Sequence, residues 1–164
     1  MPQLLKARNL ADDHLLQQVA YLVSSRAKIT ADLLVYLGEV DARRLYAETV
    51  YTSMHAWCVG QLNFSEASAF RHITAARLAR RLPAVLPAVD SGALHLTGLT
   101  MLAPHLDADN VHELLASSRD KSKRDIDKLV AARFPKEDGR ATLRPPATVG
   151  SPVPIRARRQ ASCL

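Results

Sequence analysis

Four arginines lie on one helix-like segment, and their guanidinium groups could bind phosphate. The segment reads FSEASAFRHITAARLARRLP over residues 64–83. No acidic residue lies between positions 67 and 89, so these arginines have no carboxylate neighbour in the sequence. Arginine forms charge-assisted, bidentate hydrogen bonds with phosphate oxygens, and threonine can bind phosphate or a base edge. The predicted DNA contacts on this segment are Arg71, Thr74, Arg77, Arg80 and Arg81.

The spacing around this segment is typical of the second helix of a helix-turn-helix motif, which lies in the major groove of DNA. Asn63 falls in the turn, where a residue able to adopt the left-handed conformation is needed. Val59 takes the small-residue position of the first helix, and the apolar residues before and after the turn are Leu62 and Phe64. Ala69 and Ile73 would face inward. Glu66 and Phe70 would face outward, and neither suits a groove lined with phosphate.

A second interpretation of the same arginines needs no ligand. Cations near the C-terminal end of a helix oppose the helix dipole and stabilise the helix by themselves. The sequence therefore leaves two alternatives open, a DNA-contacting helix and a structural helix with a basic edge.

Three further cations, Lys121, Lys123 and Arg124, lie where a helix is predicted to begin. Positive charge is unfavourable at a helix N-terminus, so the cluster indicates an anionic ligand such as phosphate. We include these residues among the predicted DNA contacts. The alternative is neutralisation by the acids beside them, which are Asp120, Asp125 and Asp127.

No catalytic or metal-binding residue is predicted. The six histidines form no HExxH motif, and Cys58 and Cys163 form no CxxC motif. A GxSxG motif and a glycine-rich phosphate loop are also absent from the sequence. We therefore predict no cofactor and no small-molecule substrate.

The elements that would position these side chains are helices. Leucine and alanine dominate, aromatic residues make up 5% of the chain, and no convincing strand pattern occurs. The periodicity predicts an all-α bundle of about seven or eight short helices, including the helix-turn-helix-like pair. The predicted helices cover residues 12–25, 30–48, 53–62, 65–81, 93–106, 108–118 and 122–134, and Pro83 and Pro87 predict a short, bent segment between the fourth and fifth of them. Their predicted N-caps include Thr30, Ser53, Ser65, Asp107 and Ser122.

The apolar positions of the first two predicted helices are expected to face the core. In the first they are Leu15, Leu16, Val19, Leu22 and Val23, and in the second Leu33, Leu34, Leu37, Val40 and Leu45. Gly38 interrupts the second helix and indicates close packing against a neighbour. Cys58 is expected to be a small core residue.

The basic excess of the chain is concentrated at its end. Residues 1–135 carry 16 basic and 14 acidic residues, and residues 136–164 carry 6 and 2, which together give the net charge of +6. We predict a helical domain over residues 1–135, followed by a disordered, basic, Pro-rich tail or truncated linker over residues 136–164. No signal peptide and no long apolar run is seen, so a cytoplasmic protein without a membrane partner is expected.

Two stretches of the chain resemble a known family. They are LGEVDARRLYAETVYTSMHAWCVGQLNFSEASAFRHITAARLARRLP and GALHLTGLTMLAPHLDADNVHELLASSRDKSKRDIDKLVAARFP, and the resemblance covers about residues 12–135. It is to the N-terminal helical region of bacterial HNH endonuclease family proteins. In that family a Pro-rich linker and an HNH nuclease module follow, and the module holds a divalent ion with histidines and an asparagine. No such residues follow Pro135, so the resemblance implies a truncated homologue that is inactive as a nuclease on its own.

Two functions are therefore expected as alternatives. The first is a non-catalytic DNA-binding or DNA-targeting domain, with double-stranded DNA as partner. The second is a helical protein-interaction module, which would pair with a second copy or another protein and would not bind DNA.

Overall fold

The computed structural model describes residues 7–135, and the regular structure in that range is helical with no strand. The α-helices are α1 (Asp12–Arg43), α2 (Met54–Gly60), α3 (Glu66–Arg81), α4 (Leu86–Asp90), α5 (Leu96–Leu102), α6 (Val111–Ser118) and α7 (Lys123–Arg133). Three short 3₁₀ helices cover Leu45–Glu48, Pro83–Val85 and Ala103–His105. The all-α prediction is confirmed. The tail predicted over residues 136–164 lies outside the described residues.

The prediction of two separate helices before residue 48 was wrong, because α1 is one continuous helix of 32 residues. Thr30 does not cap a helix, since its hydroxyl donates to the Arg26 carbonyl oxygen at 2.8 Å from the middle of α1. This bond satisfies the hydroxyl within the helix, and no proline or glycine lies between positions 25 and 30 to break it. The helix ends where Arg44 adopts a left-handed conformation at φ 52°. Leu45 therefore falls in the following 3₁₀ helix, where it is exposed rather than buried.

Serine side chains begin three of the helices, as predicted. The hydroxyls of Ser53, Ser65 and Ser122 each accept a hydrogen bond from the backbone amide three residues later, at 3.0–3.3 Å. Such a bond satisfies one of the amide groups that have no partner within the helix. These caps fix the starts of α2, α3 and α7.

Two helix starts lie later than predicted because local side chains shape the preceding turn. Asp107 accepts from the amides of Asp109 and Asn110 at 3.0 and 2.8 Å, which forms a turn, and α6 begins only afterwards. Before α5, the Nδ1 atom of His95 accepts from the Gly98 amide at 2.8 Å. His95 is therefore the N-cap of a helix that the sequence pattern had placed three residues earlier.

Helix α3 is at the centre of the core. It packs against α1, α2 and α5, while α4 packs against α1, and α7 packs against α5. The largest fully buried side chains are Leu34, Leu99, Leu102, Leu114 and Ile126. Cys58 is also fully buried, as predicted, and burial raises the pKa of its thiol.

Close contact between α1 and α3 depends on small side chains. A Cβ atom added at Gly38 would lie 3.2 Å from the backbone oxygen of Ala76. Ala76 is buried on α3, as are Ala75 and Ala79. The close packing predicted at Gly38 is therefore confirmed.

We expect Gly38→Val to lower the free energy of unfolding by about 1–3 kcal/mol, because the side chain would force α1 away from α3. Chemical denaturation of the full-length chain measures this loss. Ala42→Val is the matched control, since Ala42 is exposed on the same helix and loses only about 0.5 kcal/mol of helix propensity. Equal losses in the two variants would contradict a tight contact at Gly38.

Candidate functional site

The turn between α2 and α3 has the local geometry predicted for a helix-turn-helix. Asn63 adopts the left-handed conformation at φ 55°, and the Phe64 amide donates to the Cys58 carbonyl oxygen at 3.1 Å. Ala69 and Ile73 face the core, as predicted. The pair of helices predicted from the sequence is therefore present, and the outer face of α3 carries the exposed side chains of Glu66 and Phe70.

Two of the predicted DNA contacts bind carboxylates of α1. The Nε and Nη2 atoms of Arg77 lie 2.6 and 3.2 Å from the two carboxylate oxygens of Asp41, whose side chain is 15% exposed. This hydrogen bond raises the pKa of the Arg77 guanidinium further above its usual value. Arg80 donates to Glu39 at 3.0 Å. The local positive charge counted along α3 is therefore partly neutralised by acids from another helix.

Glu39 is shared between two arginines. Arg43, one turn later on α1, donates to it at 2.6 Å, and Arg80 approaches from α3. The hydrogen bond and charge of Arg43, followed by the charge of Arg80, lower the pKa of Glu39. The exposed Arg80–Glu39 pair connects α1 to the end of α3, whereas the Arg43–Glu39 pair lies within α1.

Arg81 also has partners within the chain. Its Nη2 atom donates to the carbonyl oxygens of Leu106 and Ala103 at 3.1 and 3.4 Å. These carbonyls lie in and just after the 3₁₀ helix Ala103–His105, where backbone acceptors lack helical partners. Arg81 therefore holds the segment after α5 against α3.

The other two predicted DNA contacts on α3, Arg71 and Thr74, are half-buried and line different cavities. Thr74 lines a groove with Arg77 and Arg81 on one side of α3. Arg71 lines a different cavity, together with residues of α1 and of the segment before α5. The structure therefore places Arg77 and Arg80 against the acids of α1, and Arg81 against the segment after α5. Arg71 lies apart from these three arginines.

The second basic cluster remains exposed. Lys121, Lys123 and Arg124 make no ion pair within 4.0 Å among residues 7–135. Asp125 instead accepts a hydrogen bond from the Ser122 hydroxyl at 2.7 Å. That hydrogen bond, and then the charges of Lys128 and Lys121, lower the pKa of Asp125.

The largest departure from the sequence-based expectation is the first half of α1. Residues 12–24 are all exposed, and we call them the arm. The side chains expected in the core are exposed by 38% at Leu15, 68% at Leu16, 54% at Val19, 57% at Leu22 and 59% at Val23. The prediction that these residues are buried was wrong, and we call the five residues the apolar stripe.

The apolar stripe continues the face of α1 that forms the core. Positions 18 residues apart differ by five full turns of an α-helix and lie on one line. Leu16 is thus aligned with Leu34, and Val19 with Leu37, and both of those leucines are buried. Within the described residues, α3 and α4 pack against α1, and the body first meets this helix at a cavity that Val23, Arg26 and Ala27 line.

A cavity of about 440 Å³ lies where the arm leaves the body. Its cationic and imidazole side chains come from three elements and are Arg26, Arg71, His72 and His95. No carboxylate lines it. The Nδ1 atom of His95 accepts a hydrogen bond, so its proton lies on Nε2, which can donate. We call this cavity the basic pocket.

Among residues 7–135, no three His, Cys, Asp or Glu side chains are grouped as metal ligands would be. No helix in the same range is long and apolar enough to cross a membrane.

Comparison of the chain with protein-family models, curated proteins and solved structures gives no match. The class of the protein therefore rests on its own fold, which is an all-α domain with a projecting helical arm.

Proposed function

We propose that this chain is a helical protein-interaction module that associates with a second copy through the apolar stripe. The observation that carries the proposal is the alignment of the stripe with the buried face of the same helix. A face that is core in one half of α1 and exposed in the other has the composition of an interface. Isolated exposed apolar side chains are ordinary, whereas five on one side of one arm are not.

The arm also gains stability from a partner. A helical segment of this length is marginal in water by itself, since most helical stability in proteins comes from packing of an apolar face. Burying a leucine or valine side chain completely contributes roughly 1.5–3 kcal/mol, and each stripe residue retains more than a third of its exposure. Burying the apolar stripe against a partner therefore stabilises the association, since its five side chains are exposed in the described chain.

A second copy of the chain provides enough buried area for a specific interface. Two arms packed face to face bring ten stripe side chains together and bury on the order of 1,000 Å², which is the lower limit for a specific interface. The described residues of the arm carry only two acidic side chains, Asp12 and Asp13, and both are at its far end. The centre of the stripe is thus free of charge, as the core of an interface should be.

Light scattering of the full-length chain over a wide concentration range tests the proposal. We expect the mass to rise from 18.0 kDa towards twice that value as concentration increases. A constant monomer mass up to several hundred micromolar would overturn self-association.

DNA binding is the second candidate function, and the exposed cluster of Lys121, Lys123 and Arg124 favours it. Replacing these three residues with alanine is expected to weaken duplex DNA binding and to reduce its salt dependence by about one counterion per cation. The matched variant replaces Arg77, Arg80 and Arg81, and we expect a smaller effect because these arginines have partners within the chain. Fluorescence anisotropy at two salt concentrations measures both, and absence of binding by the unchanged chain at low salt would exclude this function.

A further inference from the structure

We infer that the two arms pair antiparallel, with the Asp12–Asp13 end of each arm seated at the basic pocket of the other copy. This inference rests on the proposed self-association and names its register and its electrostatic contact. Two features of the structure carry it, the distribution of charge along α1 and the composition of the basic pocket, and Arg26 belongs to both.

The first feature is the position of charge on either side of Val19. Asp12 lies seven residues before Val19 and Arg26 lies seven residues after it. Seven residues are close to two helical turns, so all three side chains lie on nearly the same line of α1. In an antiparallel pair centred on Val19, Asp12 of each copy therefore lies beside Arg26 of the other.

A parallel pair would have the opposite electrostatics. It would place the two Asp12–Asp13 ends together, and it would place the two Arg26 side chains and their pockets together. Like charges facing one another across an interface cost affinity, whereas complementary charges fix its register. The charge distribution thus selects the antiparallel arrangement, which also keeps the two bodies at opposite ends of the paired arms.

The second feature is the basic pocket, which receives the acidic end. Arg26 lines it from α1 and Arg71 lines it from α3, and neither makes an ion pair within 4.0 Å among residues 7–135. His95 also lines the pocket, and its Nε2 proton is available to a carboxylate. Two aspartates supply the carboxylates that this pocket lacks.

The reach of the arm matches this contact. From Asp12 to Arg26 is 14 steps along the helix, or about 21 Å at 1.5 Å per residue. The pocket lies beside Arg26 and Ala27, at the base of the arm. The acidic end of an antiparallel partner of the same length therefore arrives at the pocket with the two apolar stripes in contact.

A charge exchange tests the register. One variant carries Asp12→Arg and Asp13→Arg, and the other carries Arg26→Glu and Arg71→Glu, both in the full-length chain. Each variant alone places like charges at both ends of the antiparallel pair, and we expect its dimer dissociation constant to rise about tenfold or more. An equimolar mixture places opposite charges at both ends and is expected to restore the affinity of the unchanged chain. A chain carrying all four substitutions should also restore it, and circular dichroism confirms that each variant is folded.

The outcomes separate this inference from the function on which it rests. If the unchanged chain is monomeric, self-association itself is overturned. If the unchanged chain dimerises but both variants keep its affinity, only the antiparallel register is overturned. A mixture that binds more tightly than the unchanged chain would indicate parallel pairing. Loss of duplex DNA binding on replacing Arg26 and Arg71, without loss of dimer, would assign the pocket to phosphate and also overturn the inference.

Discussion

Replacing Leu16, Val19 and Val23 together with glutamate is expected to abolish dimer formation at concentrations where the unchanged chain is fully paired. These three residues are exposed by 54–68% and lie within one side of the arm. A glutamate buried at Leu16 or Val19 loses hydration without gaining a partner, and the twofold pairing brings four such groups together. Val23→Glu removes a further apolar side chain at the edge of the stripe, where Val23 lines the basic pocket. We expect the dissociation constant to rise by at least about a thousandfold, since the loss of apolar burial alone is several kcal/mol.

The control for this variant lies on the opposite side of the same arm. Gln17, Tyr21 and Ser24 occupy that side at helical spacing, and all three are exposed. Replacing them with glutamate adds the same three charges to the same segment and leaves the apolar stripe unchanged. Sedimentation velocity of both variants measures the comparison. Equal weakening in the two triple variants would show that net charge, rather than the apolar stripe, controls association.

Leu34→Ala is expected to lower the free energy of unfolding by about 3–5 kcal/mol, which is the upper part of the range for a buried leucine. Leu34 is fully buried on the part of α1 that packs against α3 and α4. Its truncation leaves a cavity that these helices cannot close, because Gly38 and Ala76 already bring the backbones of α1 and α3 together.

Leu22→Ala removes the same atoms from an exposed side chain of the arm and serves as the control for Leu34→Ala. Leu22 is 57% exposed, so in dilute monomeric chain its truncation is expected to cost under about 1 kcal/mol. Urea denaturation of both variants at low concentration measures the difference. Similar losses would mean that the arm packs against the rest of the chain, which would contradict the exposure of the apolar stripe.

Many features of the fold could be predicted from the sequence because their physical cause is local. The serine caps before α2, α3 and α7 act through an amide three residues away, and the left-handed turn at Asn63 depends on its own backbone. The all-α class follows from leucine- and alanine-rich periodicity in the same way. Thr30 can either begin a helix or lie inside one, and the sequence pattern around it did not show which of the two occurs.

The surroundings of the arginines could not be predicted from neighbouring residues. Arg77 and Arg80 have no acid near them in the sequence, yet Asp41 and Glu39 lie 36 and 41 residues earlier and bind them. This pairing forms where α1 packs against α3, beside Gly38. The charge that a partner would meet on α3 is therefore a property of helix packing.

The sequence by itself determined that α1 has a continuous apolar face, and the tertiary structure decided how much of that face is covered. Hydrophobic periodicity specifies which side chains prefer to leave water, but it carries no information about the length of the surface that receives them. The described body first meets α1 at the cavity lined by Val23, Arg26 and Ala27. Burial depends on atoms distant in sequence, so the same apolar pattern forms core at Leu34 and exposed surface at Leu16.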